Sequence, residues 1–407
     1  MLKCDIVVVG GGASGMMAAI TAARRGCRNV VLLESRPRVG KKLLTTGNGR
    51  CNIANAEPDI SKFHSNSISA VGSVLNRFGL DETEDFFKSL GVVFTREGNK
   101  LYPRSLQAAS VLDTLRFECE RLKINIVCDS KVISVSRAGT VKTANETYNA
   151  SSVIIACGGK AAPSTGSDGS GYELLKSLGH RIIEPRPAIV PLCTELAPIK
   201  PLKGVRCDCT LTLKCGTDSV ICSDEVLFAE YGISGPAAMQ LARFASVDHR
   251  SESVTAVIDF LPDIEFNELF GYLTERSRLA YGGTAENLTL GLLNKRVGLA
   301  VIKHCGYNVN DNCSDYTAAQ INKICRAIKE FSVKVTGTCG FDFAQTTAGG
   351  AALDEFNGRL QSKFADRIFA CGEVLDCDGD CGGFNLQWAW SSGYVAGINA
   401  CERVNEC

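Results

Sequence analysis

The residues CDIVVVGGGASG, numbers 4 to 15, restrict this chain more than any other stretch. The apolar, valine-rich run reads as a strand buried on both faces. It passes directly into a glycine-rich turn and then into MMAAITAARRG (16–26), an alanine-rich helical stretch ending at Gly26. NVVLLE (29–34) is a second buried strand. Strand, turn, helix and strand make a βαβ unit with an expected right-handed crossover. The fold class expected is therefore α/β, built on a parallel sheet.

Gly10, Gly12 and Gly15 form GxGxxG at the junction of that strand and helix. The first glycine makes the turn, the second lets a pyrophosphate approach the backbone, and the third permits close packing of helix on sheet. The helix start offers free N–H groups to the phosphates. Glu34 ends the second strand 19 residues after Gly15, where an acid can hydrogen-bond ribose hydroxyls and would repel a 2′-phosphate. An ADP moiety without that phosphate is the expected ligand. A lone GxGxxG is weak, but strands, helix and acid in the right order make it specific.

The rest of the chain bears on which dinucleotide is bound. ACGG (156–159) closes another buried strand, SVIIACGG (152–159), and GEVLDCDGDCGGFN (372–385) precedes a long helical stretch. An NAD enzyme has no need of such glycine devices far downstream. Between these points GLDETEDFFKSLG (79–91) reads as a helix with Asp81 and Glu84 at capping-box spacing. VVFTREGNKLYP (92–103) reads as a hairpin turning at 97–99, and residues 105–123 as an amphipathic helix. INIVC, KVISVSR and VKT (124–143) read as successive strands of a meander. From about Val190 prolines cluster, alternating strands such as CDCTLTLKC (207–215) follow, and helices are expected near 264–280 and 315–330. The expected domains are 1–190, an insert at 191–334 that is β-rich and then helical, and 335–407.

Lys plus Arg number 44, as do Asp plus Glu, which argues against a nucleic-acid partner. No apolar run approaches the ~18 residues of a membrane span, and the first residues show no secretory leader. A cytoplasmic location is expected. The 20 cysteines include no CxxC pair, and the close pairs Cys207/Cys209 and Cys377/Cys381 lack a second pair or a nearby histidine. No metal site and no disulfide framework is expected, and most of these cysteines read as small buried hydrophobes.

The N-terminal block, GKKLLTTGNGRCN, STGSDGSGY, YGISGP, TTAGG and GEVLDCDGDCGGFNLQWAWSSGYVAG occur in one order along the chain. Together they resemble the BaiN/YhiN-type NAD(P)/FAD-dependent oxidoreductases across essentially the whole length. The resemblance implies a Rossmann-like two-dinucleotide-binding FAD fold interrupted by an inserted domain. It implies that Gly12, Ala13, Ser14 and Gly15 cradle the FAD pyrophosphate, with Gly10 at the turn and Glu34 on the adenosine ribose. It places the backbone of Val132 at the adenine, and Gly158, Gly372 and Glu373 along the diphosphate and ribityl chain. Lys42, Thr46, Gly47, Gly49, Arg50, Cys51 and Asn52 would border the ribityl and isoalloxazine. Gly383, Phe384 and Asn385 begin the last helix, whose free N–H groups would face the flavin.

The resemblance also implies a small-molecule substrate and NAD(P)H as a transient donor, since no second GxGxxG with its own βαβ is present. Members are assigned as reductases of 3-oxo bile acid double bonds; others carry an aminoacetone-oxidase label. Three classes stand: an FAD ene-reductase of an apolar enone, an FAD oxidase or dehydrogenase of a small amine or hydroxy compound, and a flavoprotein acting on RNA. Oligomeric state is open. The four histidines, 64, 180, 249 and 304, are scattered and read as structural. Tyr231 is a candidate proton donor, against the plainer reading that Ser234 caps a helix with Pro236 in its first turn. TTAGG (346–350) reads as a close backbone approach or a plain turn. Trp388 and Trp390 lie two apart on the last helix and so face different sides, with at least one in packing. Cys51 lacks a partner at 46 or 56, where Thr46 and Ala56 stand, so this loop holds no CxxxxC dithiol. Cys51 remains a candidate only as a lone thiol acidified by Arg50.

Overall fold

The computed structural model describes residues 1–250, 252–279 and 283–406. By internal contacts the chain divides into two units, Met1–Pro187 with Ala344–Cys407, and Ala188–Phe343. The expected boundary at 334 falls inside a strand, Phe331–Thr338, that belongs wholly to the second unit. Alternation in FSVKVTGT looks the same in either unit, so the pattern does not reveal which sheet owns the strand.

In the first unit, Leu2–Val9 lies between Val30–Leu33 and Thr147–Ile155, parallel to both. Asn125–Val127 extends the sheet beyond Val30–Leu33, and Ile368–Ala370 adds a parallel strand on Thr147–Ile155. The meander consists of Val132–Val135, Thr140–Thr143 and Thr147–Ile155. Residues 125–127, expected above as the first strand of that meander, are instead a parallel edge strand. Partner choice in a sheet is a long-range decision, and three residues carry too little pattern to announce it.

Helix α1 (Ala13–Arg24) is buried along nearly its whole length. α2 (Ile68–Leu75), α3 (Leu80–Ser89), α4 (Ala108–Arg121) and α5 (Ser170–Ser177) follow within this unit. The capping residue of α3 is Gly79, and the Glu82 carboxylate accepts its N–H at 2.8 Å. The Asp81/Glu84 register expected above is thus displaced; Glu84 instead pairs with Lys88 at 2.9 Å and Arg96 at 3.2 Å.

The second unit is a closed antiparallel barrel of six strands with helices attached. Around it run Leu192–Thr194, Gly232–Ser234, Asp218–Phe228, Arg206–Cys215, Thr255–Asp259 and Phe331–Thr338, which pairs back to the first. Its helices are α6 (Pro236–Arg243), α7 (Phe266–Arg278), α8 (Lys295–His304) and α9 (Ala318–Lys329). Gly235, not Ser234, precedes α6, with Pro236 at its first position; Ser234 closes a barrel strand. The expected helix end at Ala280 and the last cysteine, Cys407, lie outside the described residues.

α10 (Phe384–Asn405) completes the first unit and packs on α1. A Cβ at Gly393 would lie 2.5 Å from the Ser14 carbonyl oxygen, and one at Gly397 would lie 2.5 Å from that of Ala18. Both tryptophans are buried and both donate: Trp388 Nε1 to Gly372 O at 3.1 Å, Trp390 Nε1 to Ile53 O at 3.0 Å. Trp390 also meets Phe87 edge-on at 5.1 Å. Trp390→Ala opens a large cavity and orphans the Ile53 carbonyl, so a loss of about 3–5 kcal/mol is expected in denaturant unfolding monitored by circular dichroism. A loss under 1 kcal/mol, well below that range, contradicts this account of the packing.

Candidate dinucleotide site

The site is built where the parallel strands end. Gly10 has φ +112°, and a Cβ there would lie 2.4 Å from Ala156 O. A Cβ on Gly15 would lie 1.9 Å from Gly10 O, whereas one on Gly12 meets nothing within 4 Å. The first and third glycines are thus required by the protein's own backbone, and the second opens onto free space. No side chain caps α1, so its first N–H groups, from Ala13, Ser14 and Gly15, lie at an uncapped helix start.

Glu34 is buried, with Oε2 accepting from Gly11 N and Oε1 from Arg36 N, both at 2.8 Å. Arg36 in turn donates to Pro163 O at 2.8 Å, which draws the 163–166 turn toward the carboxylate. Ser130 N–H donates to Glu34 O at 2.8 Å, so Val132, buried two residues later, begins its strand near this end of the site. Gly158 (φ +73°) sits beside Ser167, whose buried hydroxyl has no partner.

The tail returns to the same place. Cys371 N–H bonds Ile155 O at 3.0 Å, and the next residue, Gly372 (φ +78°), faces Ser14 so closely that a Cβ would lie 2.3 Å from its hydroxyl oxygen. Glu373 pairs with Lys42 at 2.8 Å and accepts Thr347 N–H at 2.6 Å. Thr347 Oγ1 accepts from Lys160 N and Ala161 N at 2.8 and 2.9 Å. TTAGG is a buried strand, Thr346–Ala351, and its close approach is to the backbone of Glu184 and Val374.

Residues 43–49 form an irregular turn with Gly47 and Asn48 left-handed, which brings a would-be Gly47 Cβ to 2.9 Å from Asn52 N. Gly49 (φ +82°) and Cys51 (φ +60°) continue this path, and Thr46 O accepts Cys51 N–H at 3.0 Å. The buried Asn52 amide oxygen has no partner, an acceptor a ligand would satisfy. Just beyond, a Cβ on Gly383 would lie 2.5 Å from Ala54 C, which sets the start of α10 against this loop. Phe384 packs edge-on against Phe63, and Asn385 grips Gly379, accepting from its N–H at 2.8 Å and donating to its carbonyl at 2.6 Å.

The reactive-thiol reading of Cys51 is not supported. Cys51 is fully buried, and burial pushes its thiol up to about 12. Arg50 is turned to Glu97 at 2.8 Å and lies over the Tyr102 ring at 4.6 Å, so its charge serves those partners. Burial likewise pushes Cys157 and Cys371, beside the glycine turns, up to about 12. None of the 19 described cysteines is exposed. Tyr231 lies in the barrel unit, where its carbonyl accepts Thr194 N–H at 3.2 Å and its ring is 6.0 Å from Phe343.

One pair went unseen in the sequence. His64 Nε2 lies 2.8 Å from Asp380 Oδ1, on the bridge joining Phe63–His64 to Asp378–Gly379. The ring is partly exposed, and a carboxylate-held imidazole is equipped to give up a proton. The partners are 316 residues apart, so no spacing signals them.

Fold and site together define a Rossmann-type FAD-binding protein with an inserted barrel. The family model described as "HI0933-like protein Rossmann domain" matches residues 4–399, and the chain belongs to that family. A 3-dehydro-bile acid delta(4,6)-reductase of Clostridium scindens is 39% identical over 407 residues, 98% of this chain and 99% of that protein. A ribosomal RNA dihydrouridine synthase of Escherichia coli is 26% identical over 402 residues, 97% of each chain. A flavocytochrome c3 fumarate reductase in its open conformation shares the fold at TM-score 0.53 and 17% identity, over 99% of this chain and 79% of that one. Among the described residues no helix is long and apolar enough to cross a membrane.

A buried, protonated Cys51 is expected to stay unmodified when native protein is treated with iodoacetamide at pH 8 and to react fully once unfolded. Peptide mass spectrometry reads both states, and rapid native labelling of Cys51 would restore it as a reactive thiol.

Proposed function

We propose that the protein is an FAD-dependent oxidoreductase that reduces a carbon–carbon double bond conjugated to a carbonyl. The substrate proposed is small and apolar, of the 3-oxo bile acid kind, with NAD(P)H as the electron source. The end-to-end identity of 39% with the bile acid delta(4,6)-reductase carries this reading. Bound FAD supplies hydride transfer at its N5 position; the protein supplies position, dryness and protons.

The uncapped start of α1 and the space at Gly12 fit a pyrophosphate. Glu34 is assigned to the adenosine ribose and the Val132 backbone to the adenine. The Gly372–Glu373 turn with Lys42, and the 46–52 loop with its unpartnered Asn52 oxygen, are assigned to the remainder. The start of α10 is assigned to the flavin, where its N–H groups favour negative charge.

The proton that completes reduction is assigned to His64, held by Asp380. His64→Asn is expected to lower enone turnover by at least about 100-fold while NAD(P)H still bleaches the flavin at near wild-type rate. If enone turnover is unchanged, the proton comes from elsewhere.

The ribosomal RNA dihydrouridine synthase relatives support a second reading, because dihydrouridine is also a product of saturating a conjugated double bond. The equal numbers of acidic and basic side chains favour the small molecule, since RNA binding draws on excess cation. The test is anaerobic reduction of flavin-loaded protein by NADH or NADPH, followed by either a 3-oxo-4,6-diene bile acid or ribosomal RNA lacking dihydrouridine. Reoxidation by the bile acid with formation of its reduced product is expected. Dihydrouridine formation with the bile acid unchanged would favour the second reading, and failure to bind FAD at all would remove both.

A further inference from the structure

In the barrel unit, a site of mixed sulfur, nitrogen and oxygen donors forms at one hairpin. Cys215 ends the strand Arg206–Cys215, and its register partner Asp218 begins the next strand. His249 follows the helical turn Phe244–Asp248. Its N–H bonds Phe244 O at 2.9 Å, its ring lies 4.3 Å from the Phe244 ring, and its carbonyl accepts Glu252 N–H at 3.1 Å. Backbone and packing therefore orient both His249 and Glu252 toward the hairpin.

The side chains converge. Cys215 Sγ lies 3.2 Å from Glu252 Oε2, and His249 Nδ1 lies 3.1 Å from Glu252 Oε1. One ligand atom from each of the three lies within 4.8 Å of the others. The second ring nitrogen, Nε2, faces Asp218 Oδ2 at 3.5 Å. That is the arrangement in which a carboxylate orients a metal-bound histidine through its far nitrogen. Cys215 is buried whereas Glu252 and Asp218 are exposed, so the donors sit at the surface with one side open to solvent. Among the described residues no other trio of His, Cys, Asp and Glu brings its donors together in this way.

We propose that Cys215, His249 and Glu252 bind a zinc ion, with water in the fourth position and Asp218 holding His249 from behind. A thiolate, an imidazole and a carboxylate suit zinc, whereas calcium and magnesium call for oxygen donors throughout. Spacing conceals the site, because Cys215 and His249 are 34 positions apart and no CxxC precedes either. Bound zinc would tie the 215–218 hairpin to the 244–252 segment, displacing the thiol proton as it binds.

Full-length protein stripped with EDTA and titrated with zinc against a chromophoric chelator is expected to take up one tight equivalent. Cobalt(II) in its place should show a sulfur-to-metal charge-transfer band in the near ultraviolet. Cys215→Ser should abolish that band, and both Cys215→Ser and His249→Gln should weaken zinc binding by at least about 100-fold. Asp218→Asn should weaken it by about 10-fold while keeping the band. Circular dichroism of each variant separates lost binding from lost folding, and Cys222→Ser, on the same hairpin, should change neither affinity nor band. Absence of a tight equivalent, or one that survives intact in both Cys215→Ser and His249→Gln, overturns the proposal and leaves a hydrogen-bonded cluster only.

Discussion

The approach of α10 to α1 at Gly393 and Gly397 is the contact on which the first unit depends. Side chains at either position would overlap the Ser14 or Ala18 carbonyl, so these glycines let two helix backbones meet directly. With α10 at that distance, Trp388 reaches the Gly372 carbonyl and Trp390 reaches that of Ile53. One long helix thereby locks the C-terminal glycine turn to α1 and the 46–52 loop to both. Parts of the candidate site more than 300 residues apart share one scaffold. A site that must grip an extended ligand along its length gains from such coupling, because rigid elements hold geometry better than loops.

The same packing explains why the cysteines beside the site are quiet. A thiol becomes nucleophilic where solvent or a cation stabilises its thiolate. Cys51 and Cys371 have neither, and burial keeps them protonated. They occupy positions where a small apolar side chain suits close backbone approach, as at Cys51 between the left-handed turn and Asn52. The chemistry proposed for the site therefore rests on a bound cofactor and on the His64 imidazole, held by Asp380.

Local devices were legible where they depend on neighbours in the chain. The βαβ unit, the hairpin at 97–99, α4 and α10 each follow from a period or a turn of a few residues. Two helix starts differ from the local pattern because two registers there are locally equivalent. The cap of α3 moved to Gly79 because Glu82 reaches its N–H, and the start of α6 moved to Gly235 because Ser234 is committed to a barrel strand. The edge strand at 125–127 and the barrel strand crossing 334 are not legible locally, because a strand's own residues do not state its partner.

The sequence by itself determined the glycine turn after the first strand, the acid at the end of the second and the recurrence of glycine-rich turns downstream. Each is a requirement of backbone geometry, and backbone geometry restricts residue type at the position where it acts. Only the tertiary structure decided that Glu373 meets Lys42, that Asp380 holds His64, that Arg50 serves Glu97 rather than Cys51, and that Cys215, His249 and Glu252 converge. Side-chain pairing of this kind depends on which distant segments the packed core brings within about 3–4 Å, and charged or polar residues accept many alternative partners at equal local cost.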